Sequence, residues 1–112
     1  MTKLTKEEFN AKINEDKWSL VLFGALWCGK CNLAKQKIPA YEEALKDAKL
    51  DCTIYNIDAD ECKDIFEKYG VKHMPVFILF KKGVNTGERS ALGTPDGIVD
   101  FVYDKYNTGA CE

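Results

Sequence analysis

Two apolar runs, Trp18-Ser19-Leu20-Val21-Leu22-Phe23 and Val76-Phe77-Ile78-Leu79-Phe80, interrupt an otherwise mixed chain. The first shows little alternation, which predicts a strand covered on both faces, central in its sheet and parallel to a neighbour. The second is the most apolar strand candidate, and Lys81-Lys82-Gly83 after it reads as a turn into an antiparallel partner over residues 85–91. Cys52-Thr53-Ile54-Tyr55-Asn56-Ile57 is a further β-rich run.

Elsewhere the apolar spacing lengthens to three or four. Between residues 28 and 49 the positions Cys31, Ala34, Ile38, Tyr41, Leu45 and Ala48 form such a stripe, predicting a long helix laid against a sheet. Pro39 predicts a kink there and not an end, because the periodicity continues beyond it. Thr5 and Glu8 have capping-box spacing ahead of Phe9 and Ile13, so a first helix is expected over about residues 6–14. The acidic run Asp58-Ala59-Asp60-Glu61 suits the start of a short helix that reaches about Tyr69, with Gly70 at its terminating position. Thr94 before Pro95 reads as the cap of a last helix burying Ile98, Val99, Phe101, Val102 and Tyr106, and residues 107–112 read as a frayed tail. The expected order is helix, strand, helix, strand, helix, strand, strand, helix, with an extra short strand before Trp18 left open. That order describes an α/β fold, a central mixed β-sheet flanked by helices on both faces.

Composition narrows the function. A length of 112 residues with 46% hydrophobic content suits one domain over residues 1–112 with a single core. Sixteen basic and eighteen acidic residues are interspersed for a net charge of −2, so neither nucleic acid nor a membrane surface is an expected partner. The N-terminus carries no apolar signal-like segment, so a soluble, unexported chain is expected. Five cysteines is an odd count, with Cys52, Cys62 and Cys111 scattered, which fits a reducing cytoplasmic setting better than a disulfide-stapled one.

The chemistry concentrates in Trp27-Cys28-Gly29-Lys30-Cys31-Asn32, between a strand and a helix. Two thiols in this spacing can close a small ring, and a pair that opens a helix places its first sulfur where backbone N–H groups converge, favouring the thiolate. Cys28 is therefore the reactive thiol and Cys31, one turn in, the shielded one. A CxxC is also half of a zinc site, but no second pair stands at ligand spacing, so no metal is expected. Cys52 and Cys62 read as small core residues, with Cys62, near an exposed helix start, the better candidate for regulation. His73 reads as a partly exposed loop residue, Phe23, Phe77 and Phe80 as core, Lys81-Lys82 as a solvated turn, and Trp27 as an exposed lid.

These motifs together resemble the thioredoxins over nearly the whole chain. The resemblance is carried by Trp27-Cys28-Gly29-Lys30-Cys31, Asn56-Ile57-Asp58, Tyr69-Gly70-Val71-Lys72-His73-Met74-Pro75, Phe80-Lys81-Lys82-Gly83 and Gly93, in family order. Met74-Pro75, the Phe80 segment and Cys62 look closest to eukaryotic cytosolic members. The resemblance implies the thioredoxin fold and a protein-disulfide reductase with Cys28 as nucleophile and Cys31 as resolving thiol, tuned by Gly29 and Lys30. It implies a cis bond before Pro75 and a substrate surface of Trp27, His73, Met74, Pro75 and Gly93, where an extended segment pairs with the Met74 backbone. The implied cofactor is none beyond the redox-active Cys28–Cys31 disulfide. The implied partners are disulfide-containing proteins and a thioredoxin-reductase-type electron donor, with the chain acting as a monomer.

Four positions depart from the family pattern. Lys30 stands where many members have proline, which predicts a less reducing potential. Leu22, six before the first cysteine, replaces a buried aspartate that assists proton transfer to the resolving thiol, and Ile54 replaces the lysine paired with it in bacterial members. Losing both is self-consistent, since an unpaired buried charge is costly, and it leaves the proton to a water or to the partner protein. Gly24 replaces a bulkier residue, and Asn32 a common lysine. Two further readings compete with the reductase: a redox-sensitive binding module with weak catalysis, which the missing acid suggests, and an oxidising or isomerising member, which Lys30 suggests.

Overall fold

The computed structural model describes residues 1–107. In chain order it contains β1 (Thr2–Lys3), α1 (Lys6–Ile13), β2 (Trp18–Gly24), α2 (Gly29–Asp47), β3 (Cys52–Asp58), α3 (Lys63–Lys68), β4 (Val76–Lys81), β5 (Val84–Ser90) and α4 (Pro95–Asn107). The five strands form one sheet in the order β1-β3-β2-β4-β5. β2 lies at its centre, parallel to β3 and antiparallel to β4, and all its residues are buried, as an apolar run without alternation requires.

Alternate residues of the central strands feed two cores. Leu20, Leu22, Ile54, Phe77 and Leu79 pack with α2 and α4 residues such as Ala34, Ile38, Tyr41, Ile98 and Val102. Val21, Phe23, Ile57, Ile78 and Phe80 pack with Phe9 and Ile13 of α1 and Ile65 and Phe66 of α3. The sheet is thus mixed and covered on both faces, as expected. α1 opens on a complete capping box: Glu8 N–H donates to Thr5 Oγ1 and Thr5 N–H to Glu8 Oε1.

Several expectations shift. The open extra strand is β1, whose Thr2 and Lys3 align with Tyr55 and Asn56 of β3. The acidic run does not begin α3, which starts at Lys63 behind Cys62; Asp58 ends β3 instead. β5 runs one residue earlier than expected, and α2 passes through Pro39 without ending. Ala48 and Tyr106 are exposed and leave their helices' buried faces, although the Tyr106 ring lies on Trp18 with centroids 5.8 Å apart. Lys81 is half-buried, its Nζ 3.1 Å from Asp16 and above the Trp18 ring. The expected fraying falls on residues 108–112, outside the described residues, while Asn107 closes α4. No helix among the described residues is long and apolar enough to cross a membrane.

Candidate active site

The end of the central strand delivers the chain to the N-terminus of α2. Cys28 is the cap of that 19-residue helix, and its Sγ accepts the Cys31 N–H at 3.2 Å. A helix N-terminus presents the equivalent of about half a positive elementary charge, which is the setting that stabilises a thiolate. Cys28 and Cys31 are joined as a disulfide with Cα atoms 5.2 Å apart. Cys28 is half-buried while Cys31 has no exposed surface, so an approaching partner meets Cys28 first. Gly24 explains its own identity: a Cβ there would stand 3.1 Å from Cys31 Sγ and 3.2 Å from Cys31 Cβ. Glycine lets β2 pass behind the buried sulfur without forcing Cys31 to give way by a few tenths of an ångström.

On one side of the dithiol a chain of carboxylate bonds shapes the approach. Buried Asp58 accepts the Leu26 N–H at 3.3 Å and the Asp60 N–H at 2.7 Å, and Asp60 in turn accepts the Trp27 indole N–H at 3.1 Å. The indole lies 67% exposed beside Cys28, as a lid would. The acids read from sequence as a helix start therefore organise this loop, and their role was missed because their partners lie some thirty residues upstream. The Asn32 side-chain amide N–H donates a hydrogen bond to the Leu26 carbonyl at 3.3 Å.

On the other side the Met74–Pro75 bond is cis. A groove of about 300 Å³ is lined by Lys30, His73, Met74, Pro75, Val76, Ser90 and Leu92. A second, of about 380 Å³ and mostly apolar, is lined by Ala59, Lys63, Phe66, Glu67, Gly70, Val71, Lys72 and Met74. Met74 borders both. Of the residues expected at the substrate surface, His73, Met74 and Pro75 meet in the first groove together with Lys30, whereas Trp27 and Gly93 line neither. Leu92 and Ser90 stand where Gly93 was expected, and a Cβ on Gly93 would come within 2.9 Å of the Arg89 guanidinium. Gly29 is exposed in the first turn, with open space where a Cβ would be.

Leu22 has no exposed surface and belongs to the apolar cluster under α2 and α4, with Ile54 in the same cluster. The outlying cysteines differ from expectation in one respect. Cys62 is buried, and burial together with Glu61, Asp64 and Asp58 pushes its thiol up, which removes the accessibility that a regulatory thiol needs. Cys52 is half-buried, and burial, then Asp51, pushes its thiol up to about 12. Cys111 lies outside the described residues.

The Thioredoxin family model matches residues 1–104, which is nearly the whole described fold. The chain belongs to the thioredoxin family. Among relatives, this thioredoxin-family chain is 41% identical over 99 residues to protein disulfide isomerase-like 2-2 of Oryza sativa subsp. japonica, an alignment covering 86% of this chain and 26% of that protein. It is 40% identical over 75 residues to thioredoxin of Oryctolagus cuniculus, covering 67% of this chain and 68% of that protein. The chain spans about a quarter of the length of the protein disulfide isomerase-like relatives it matches. Among solved structures, a mutant thioredoxin from Halobacterium salinarum NRC-1 superposes with a TM-score of 0.77 at 24% identity, covering 94% of this chain and 88% of that one. Plasmodium falciparum thioredoxin superposes with a TM-score of 0.74 at 26% identity, covering 93% and 98%.

Proposed function

We propose that this chain is a thiol–disulfide oxidoreductase that reduces disulfides in other proteins. The observation that carries the reading is the asymmetry of the pair: a half-buried Cys28 capping a helix and a fully buried Cys31 one turn on, bonded to each other. In the reduced chain the Cys28 thiolate attacks one sulfur of a partner disulfide, forming a Cys28–partner bond and expelling the other partner sulfur as thiolate. Cys31 then loses its proton and attacks Cys28 Sγ. The intramolecular disulfide forms and the second partner sulfur leaves, so two electrons have passed to the partner. With Leu22 apolar, no carboxylate at that position takes the Cys31 proton; water or the departing partner thiolate takes it. The chemistry draws on no group beyond the two cysteines, and a donor of the thioredoxin-reductase type returns the electrons. A reducing, cytoplasmic setting fits the two thiols that stand unpaired among the described residues, half-buried Cys52 and buried Cys62.

The groove at Lys30, His73, Met74 and Pro75 suits an extended segment flanking the partner's cysteine. The test is trapping. Cys31→Ser should accumulate mixed disulfides with a denatured disulfide protein, because the resolving step is gone, while Cys28→Ser should accumulate none. Equal trapping by both variants would refute the roles, and failure of the unaltered chain to accelerate insulin reduction by dithiothreitol would refute the activity.

A further inference from the structure

Tyr41 stands on α2 with no exposed surface. Its hydroxyl reaches the segment joining β5 to α4, where Oη lies 2.9 Å from the Ala91 carbonyl oxygen, 2.7 Å from the Gly93 carbonyl oxygen and 3.2 Å from the Gly93 nitrogen. With one proton, the hydroxyl donates to one carbonyl at a time, Gly93 being the nearer, while its lone pair accepts the Gly93 N–H. The same segment is tied to the groove, since the Ala91 N–H donates to the Pro75 carbonyl at 3.3 Å. Leu92, between the two anchored residues, is exposed and lines the groove with Pro75 and Lys30. The helix that carries the dithiol at its start therefore also grips, through Tyr41, the far wall of the surface a partner must meet. Packing does not account for the hydroxyl: the ring sits edge-on to Phe77 with centroids 6.0 Å apart, a contact that phenylalanine would make equally.

We propose that Tyr41 is a positioning residue for partner recognition, its hydroxyl holding residues 91–93 so that Leu92 and Pro75 together face the docked segment. This rests on the reading of the chain as a reductase of protein disulfides and adds which residue sets its grip on them. The hydroxyl acts on docking and not on the thiol chemistry. The Tyr41→Phe variant should therefore raise the KM for insulin about fivefold, the worth of one typical net hydrogen bond. The kcat for insulin, the rate with the small disulfide dithiobis(nitrobenzoate) and the reduction potential of the pair should stay as in the unaltered chain.

In the same variant the Gly93 amide should exchange with deuterium faster than in the unaltered chain. A merely structural loss would lower the melting temperature without splitting the two substrates. An unchanged KM for insulin, or an equal loss with both substrates, overturns the proposal. Should Tyr41→Phe fail to fold, Gly93 exchange in the unaltered chain decides: protection supports the clamp, and exchange at the rate of a free amide overturns it. Failure of the unaltered chain to reduce insulin refutes the activity, and the clamp is then judged by Gly93 exchange alone.

Discussion

Gly24 and Lys30 are the two residues through which this chain departs most directly from its family at the dithiol. A Cβ on Gly24 would press on Cys31, whose sulfur is held by the disulfide and yields little. Gly24→Ala should therefore destabilise the oxidised form by about 1–2 kcal/mol, as overpacking does, and the reduced form by less, because a free Cys31 can turn away. Destabilising the disulfide raises the potential, by about 30 mV for each 1.4 kcal/mol of difference. Equilibration against glutathione checks this, and an unchanged or lower potential would sink the argument. Lys30 occupies the first turn of α2, where proline fits without breaking a helical bond. Lys30→Pro should lower the potential towards the roughly −270 mV of thioredoxin; a potential indifferent to the change would mean that the fold and not residue 30 decides it. Leu22 was legible as a departure, and its place in the apolar cluster shows what replaced the acid. Tyr41 was legible only as one tooth of an apolar stripe, since nothing in the spacing reveals where a hydroxyl points.

Among the elements, the C-terminal ends of α3 and α2 repeat one device. After α3, the Gly70 N–H bonds to the Glu67 carbonyl and the Val71 N–H to the Phe66 carbonyl, with Gly70 at φ +64°. After α2, the Lys49 N–H bonds to the Lys46 carbonyl and the Leu50 N–H to the Leu45 carbonyl, with Lys49 at φ +60°. Both are Schellman closures that need a left-handed residue, and only the first has glycine there. Lys49→Gly should stabilise the fold by about 0.5–1 kcal/mol, the relief of a left-handed side chain less the backbone entropy of glycine. Urea unfolding checks this; destabilisation would show that the Lys49 side chain makes a contact that outweighs its strain. The hairpin follows the same chemistry, with Lys82 and Gly83 both at positive φ between β4 and β5. Gly70 and the hairpin turn could be read in advance because glycine marks them. β1 could not, because two residues carry no period and exist as a strand only through their alignment with β3.

For the whole molecule, ion pairs at the surface add links between elements that already share a core or a turn. Lys6 pairs with Asp64, linking α1 to α3; Lys3 pairs with Glu61; and Asp16 pairs with Lys81. Asp64 is held below the usual carboxylate range by its bond to Lys6, Asp16 by Lys81, and Glu8 by the Thr5 backbone. These contributions are fully present above the unfolded carboxylate values near about pH 4 and are lost as pH falls through the lower folded values. Burial holds the Cys52 thiol up at about 12. The unfolded chain releases that proton above about pH 8.5, so stability should fall as pH rises from there towards the folded value. The melting temperature should thus be flat between about pH 5 and 8 and decline on both sides. Added salt should flatten the acid decline by screening the exposed pairs. The Cys62 thiol and the Lys3 and Lys6 ammonium groups are raised as well and add to the same decline, so Cys52→Ala should reduce the alkaline decline without abolishing it; an alkaline arm that persists undiminished would place its origin elsewhere.

What the sequence determined by itself was whatever depends on neighbours along the chain: the periods of the strands and helices, the capping box at Thr5 and Glu8, the Thr94 cap bonded to the Gly97 N–H, and the CxxC at a strand-to-helix junction. These are local because backbone geometry and capping bonds act over three or four residues. The tertiary structure decided what depends on residues far apart. It turned the acids at 58 and 60 into partners of Leu26 and Trp27, buried Cys62, set Gly24 close behind Cys31, and brought the Tyr41 hydroxyl to the loop at Gly93. A side chain's period tells which face it occupies, and only the packing of that face against another element tells which atoms it meets.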